Sequence, residues 1–139
     1  MVEINAEYLG DLECRAVHGP SGSEILTDAP ADNQGLARHF SPTDLLAASV
    51  ATCIMTIMGI TARKHGLDIS GLRVTAAKEM TGAPRRVKKI ALEFVFPRRI
   101  SDHDFTLLSA AVEQCPVTRS LSAEVEVQAS FSFAPAAKE

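Results

Sequence analysis

Three of the 139 residues are cysteines, Cys14, Cys53 and Cys115, and they are the side chains best suited to chemistry, because a thiolate is both a nucleophile and an oxidisable centre. An odd number at wide spacing, with no C-x-x-C pair, fits neither a secreted disulfide framework nor a zinc ribbon. Free thiols in a reducing compartment are the expectation. Cys115 directly precedes Pro116, which favours the first position of a helix. Its sulfur is therefore expected at an N-cap, near backbone N–H groups that lower a thiol pKa from about 8.5. From the residue pattern alone, a reactive and a packing role for Cys115 both stay open. Cys53 lies within an apolar helix on the face of Val50, Ile54 and Ile57, where cysteine serves most often as a small core hydrophobe. Cys14, on the apolar face of a strand, reads as a packing residue. His39 belongs to a loop and His18 to a turn.

The helix that carries Cys53 is strongly punctuated. Ser41-Pro42-Thr43-Asp44 offers an N-cap hydroxyl, a proline at N1 and a carboxylate at N3. Lys64 and His65 precede Gly66 at the other end, which sets the helix at about 43–65. Leu45 to Ala62 is eighteen residues without a charge, near the lower limit for a bilayer span. Four Ser or Thr residues and Gly59 dilute it, so the reading is a buried soluble helix with no membrane partner. A helix apolar on nearly all sides must be covered on all sides, which calls for a second copy or a partner subunit.

Around that helix the chain reads mostly as strands. An amino-terminal hairpin and strand occupy about 1–28, strands about 71–97, a second helix about 102–114 opened by a Ser101–Asp104 capping box, and an alternating final strand about 122–133. The expected class is α+β, a curved antiparallel sheet packed on a long central helix and a shorter one. With 46% hydrophobic and 22% charged residues, the chain suits one globular domain and not a disordered segment. Its net charge of -3, with no basic run interleaved with aromatics, argues against a nucleic-acid partner. The amino terminus carries acids where a secretory signal is basic and apolar, so a cytoplasmic protein is expected.

Three segments, YLGDLECR, SPTDLLAASVATCIMTIM and AAVEQCPVTRSLSAEVEV, resemble the OsmC/Ohr family of hydroperoxide-detoxifying proteins, in the same order along nearly the whole chain. The resemblance implies a single OsmC-like domain over 1–139 and an intertwined homodimer in which long helices from two copies pack together. It makes Cys53 the peroxidatic thiol, Cys115 the resolving thiol and Arg15 the residue that polarises Cys53, with no cofactor and no metal. The family Glu that holds this Arg follows the capping Pro; here that position is Thr43, and Asp44 is better placed as the N3 cap. Arg38 and His39 are alternative polarising groups. The implied function is an antioxidant, cysteine-based peroxidase of the oxidative stress response. It would act on organic hydroperoxides more than on hydrogen peroxide, since the neighbours of Cys53 are apolar, and a dithiol would be its reductant. Two other readings are a non-catalytic dimeric binding protein for a small apolar ligand and a slow thiol redox sensor.

Overall fold

The computed structural model describes residues 1–135. The chain divides into two compact units, Met1–Leu46 and Ala47–Glu139.

In the first unit, β1 (Ile4–Gly10), β2 (Glu13–His18) and β3 (Glu24–Asp28) form an antiparallel sheet in that order. The bend between β1 and β2 uses three consecutive left-handed residues, Gly10, Asp11 and Leu12. Leu12 therefore lies in the turn and β2 begins one residue later. Beyond β3, a loop containing a short 3-10 helix, Ala31–Asn33, is fastened by one carboxylate. Asp28 is 1% exposed; its Oδ2 accepts from Arg38 Nε at 2.8 Å and from the Arg38 backbone N–H at 3.0 Å, and its Oδ1 accepts from the Ala29 N–H at 2.8 Å. Arg38 is also paired with Glu13 at 2.7 Å and donates to the Asp11 carbonyl at 3.1 Å. The Arg38 side chain, then its backbone N–H, hold the Asp28 carboxyl well below the usual carboxylate range, against the opposing effect of burial.

Helix α1 (Pro42–Lys64) starts in the first unit and runs through the second. Its capping box is reciprocal: the Asp44 N–H donates to Ser41 Oγ at 3.0 Å, and the Ser41 N–H donates to Asp44 Oδ2 at 2.9 Å. At the far end Gly66 takes a left-handed conformation and the Leu67 N–H returns to the Ala62 carbonyl at 2.9 Å, closing the last turn. The buried residues Ala47, Val50, Ala51, Ile54, Met58 and Ala62 form a single stripe. The helix is long and apolar enough to cross a membrane, and about a third of its most apolar window is buried. One face is thus covered within this chain, not all of them.

The second sheet orders β4 (Arg73–Met80), β5 (Val87–Phe96) and β6 (Glu126–Phe133), with β4–β5 antiparallel and β5–β6 parallel. The expected α+β class holds, but there are two three-stranded sheets and one of them is mixed. The alternation of a strand does not encode its direction, and a parallel neighbour needs a crossover. That crossover is α2 (Asp102–Ser109), α3 (Ala111–Gln114) and α4 (Pro116–Arg119). The expected 102–114 helix is interrupted at Ala110. The final strand begins at Glu126 because the preceding residues turn, with the Val125 N–H donating to the Ser122 carbonyl at 3.0 Å.

Ile90, Leu92, Phe94 and Phe96 share the buried face of β5. Register pairs Phe94 with Phe131 and Phe96 with Phe133, stacked with ring centroids 5.2 and 5.7 Å apart. Phe105 of α2 meets Phe131 edge-on at 5.3 Å, so this cluster fixes the crossover on the sheet.

Two outcomes follow from this packing. Phe96→Ala should lower the unfolding free energy by about 3–5 kcal/mol in urea denaturation. For Asp28, whose carboxyl is depressed, the stabilisation is present above the unfolded carboxylate value of about 3.9 and is lost as pH falls through the lower folded value. Stability measured from pH 5 downward should therefore fall in the wild type, and the fall should be shallower in Asp28→Asn, which starts less stable.

Candidate functional site

Cys53 enters the site about three turns into α1. It stands three residues beyond Val50, at the edge of the buried stripe, and is part-buried. Cys115 enters from the junction of α3 and α4. There the backbone is extended, Pro116 fills the first helical position without an N–H to satisfy, and Cys115 Sγ accepts from the Thr118 N–H at 3.5 Å. The N-cap position expected for Cys115 is thus observed. Its side chain is fully buried.

All three cysteines are free thiols, and those of Cys53 and Cys115 are near enough for each to act on the titration of the other. The Val117 N–H acts on both sulfurs in the sense that favours the thiolate. Burial pushes the Cys53 thiol up, Cys115 pushes it further, and the Val117 N–H opposes both without cancelling them. Burial acts in the same sense on Cys115. There Cys53, the Thr118 side chain, and the N–H groups of Thr118 and Val117 outweigh it, leaving that thiol below its ordinary value. The Thr118 hydroxyl oxygen is buried without a geometrically complete hydrogen bond, yet its O–H lies close enough to Cys115 Sγ to favour the anion.

The structure therefore brings together two of the three site residues read from the sequence. Arg15 lies on β2 in the other unit, where its guanidinium is paired with Glu7 at 3.4 Å and Glu24 at 3.5 Å; its Nε is buried without a hydrogen-bond partner among the described residues. Arg38 is taken up by Asp28 and Glu13. His39 is exposed, and His18 Nδ1 is hydrogen-bonded to Ser21 Oγ at 2.6 Å. Thr43 Oγ1 lies 3.2 Å from Ser41 Oγ, and Asp44 serves the capping box. Cys14 stands opposite Tyr8 and Thr27 in its sheet.

The resemblance implies a cation beside Cys53; within its own unit a second sulfur and a backbone N–H act on that thiol. Val117 and Thr118 were missed, although C-P-V-T carried the signal: with Cys115 at the N-cap, the next three residues are N1, N2 and N3, and the N–H groups of the last two face a capping side chain.

Comparisons with known proteins agree with this architecture. The family model described as OsmC-like protein matches residues 33–130. The structure of an osmotic stress induced and detoxification response protein from Psychrobacter arcticus 273-4 superposes with a TM-score of 0.91 at 38% identity, covering 94% of this chain and 96% of that one. An organic hydroperoxide resistance protein OsmC from Legionella pneumophila shares the fold at 19% identity and a TM-score of 0.74, over 95% and 96% of the two chains. The organic hydroperoxide resistance protein OhrB of Bacillus subtilis does so at 15% identity and 0.68, over 94% and 97%. No curated protein matches. On the family match and the Psychrobacter likeness together, this chain belongs to the OsmC-like protein family.

Proposed function

We propose that this protein is a cysteine-based peroxidase that reduces organic hydroperoxides with the Cys53–Cys115 pair. The observation that carries the reading is the neighbouring pair of free thiols, one part-exposed and one buried. The names of the Legionella and Bacillus structures support the substrate class. Cys53, the more accessible sulfur, attacks the distal peroxide oxygen; the O–O bond breaks, an alcohol leaves and Cys53 becomes a sulfenic acid. Cys115 attacks that sulfur, forming the disulfide and releasing water. A dithiol returns both thiols by exchange in a reducing cytoplasm. The apolar neighbours Val50 and Ile54 favour a hydroperoxide with a hydrocarbon tail over hydrogen peroxide. Arg15 enters the reading on resemblance alone, as the polarising cation.

The same reading makes the protein a homodimer. Helix α1 keeps an uncovered apolar side, with Ile60 47% exposed, and a second α1 is the surface of matching length and apolarity.

Cumene hydroperoxide consumption with excess dithiothreitol should vanish in Cys53→Ser. In Cys115→Ser assayed without added thiol, one equivalent of hydroperoxide should convert Cys53 to the sulfenic acid, and a further equivalent should take it to the sulfinic acid seen by mass spectrometry. Equal rates in all three proteins would defeat the peroxidase. Light scattering should give twice the chain mass, and Ile60→Asp should move it toward one chain; a wild-type monomer removes the dimer.

A further inference from the structure

The second sheet carries a cavity that the thiol chemistry does not use. We propose that the face of β4 and β5 around Arg73 and Glu93 binds a short zwitterionic peptide of about two residues, holding its carboxylate, its ammonium group and an apolar side chain.

The cavity measures about 590 Å³ and is lined by Met55, Arg73, Val74, Thr75, Glu93 and Val95, a size that suits a small molecule. Strand register sets out its floor. Arg73 stands opposite Val95, and Thr75 opposite Glu93, so these four side chains share one face of the sheet as the corners of a rectangle. Arg73 and Glu93 occupy one diagonal, Thr75 and Val95 the other.

The two charges on the diagonal are not spent on each other. Diagonal neighbours across an antiparallel pair stand about 7–8 Å apart, within reach of long side chains, yet Arg73 and Glu93 form no hydrogen bond or ion pair among the described residues. Elsewhere around this sheet acids and bases do meet: Lys88 with Glu79 at 3.2 Å, Arg86 with Glu124 at 3.7 Å and Lys89 with Glu126 at 3.9 Å. A ligand with a charge of each sign can engage both corners without breaking a bond inside the protein. Its length is set by the same diagonal. An extended dipeptide spans about 7 Å, whereas a free amino acid carries both charges on one carbon and cannot reach both corners.

The rest of the lining suits such a peptide. Met55, Val74 and Val95 are half-buried and give an apolar side chain a surface away from water. The Thr75 hydroxyl is exposed and can donate to or accept from the peptide group. Strand β4 is an edge of the sheet, so one side of its backbone is also open to amide groups. Met55 follows Cys53 by two residues and leaves α1 about 200° further round the axis. The site therefore stands whether or not the thiols reduce peroxide.

Isothermal titration calorimetry of the wild-type protein with leucyl-leucine should show one saturable site per chain. Leucyl-leucine amide, which lacks the carboxylate, and N-acetyl-leucyl-leucine, which lacks the ammonium group, should each bind about tenfold or more weakly, and leucine no better than either. Arg73→Gln should erase the difference between the dipeptide and its amide while keeping that between the dipeptide and its acetyl form. Glu93→Gln should do the reverse, a crossed pattern that a loss of folding does not produce. In 15N-labelled protein the amide resonances of Thr75 and Glu93 should shift as leucyl-leucine is added. No saturable binding up to about 10 mM, an affinity that neither substitution changes, or leucine binding as tightly as the dipeptide overturns the proposal. Binding seen in Ile60→Asp and absent from a wild-type dimer also overturns it, and gives this face to a second copy of the chain.

Discussion

A sulfur that is fully buried holds negative charge only where hydrogen-bond donors are aimed at it, because burial by itself favours the neutral thiol. Cys115 is given such a donor by the turn it caps, whose Thr118 N–H reaches its sulfur at 3.5 Å. Much of the second unit serves to position that cap. Pro116 breaks the crossover where the cap is needed, the crossover is obligatory because β6 lies parallel to β5, and the phenylalanine cluster holds α2 on the sheet from which the turn is hung.

The first unit solves a different problem with similar means. A loop rich in turn residues is tied to its sheet by one buried carboxylate whose oxygens accept only from Ala29 and Arg38 among the bonds seen there. Ser41 and Asp44 then exchange hydrogen bonds to start α1. That exchange explains the residues at the head of the helix: Asp44 is occupied with a backbone N–H, and Thr43 faces the capping hydroxyl. Asp28 and Asp44 are both consumed by architecture.

What could be read from the sequence was local. The caps at Ser41, Ser101 and Cys115 were legible because each depends on residues within one turn, and the faces of β5 and β6 because alternation reports burial. The direction of β6 was not legible, since the same alternation serves parallel and antiparallel strands, nor was the break at Ala110, where no glycine or proline stands. The contact between Cys53 and Cys115 lay beyond any periodicity. Resemblance supplied the pair, and the structure added the turn residues Val117 and Thr118 beside it.

The unequal burial of the two sulfurs would also give a Cys53–Cys115 disulfide a direction. If Cys53 and Cys115 are joined, an incoming reductant meets the bond from the Cys53 side, because Cys115 has no exposed surface. The displaced group is then Cys115, and a thiol of lower pKa leaves faster in exchange. The backbone N–H groups of Val117 and Thr118 would receive that leaving sulfur as it departs. The buried turn therefore favours a mixed disulfide on the helix, and a small or extended reductant that can present its sulfur to one part-exposed position on α1.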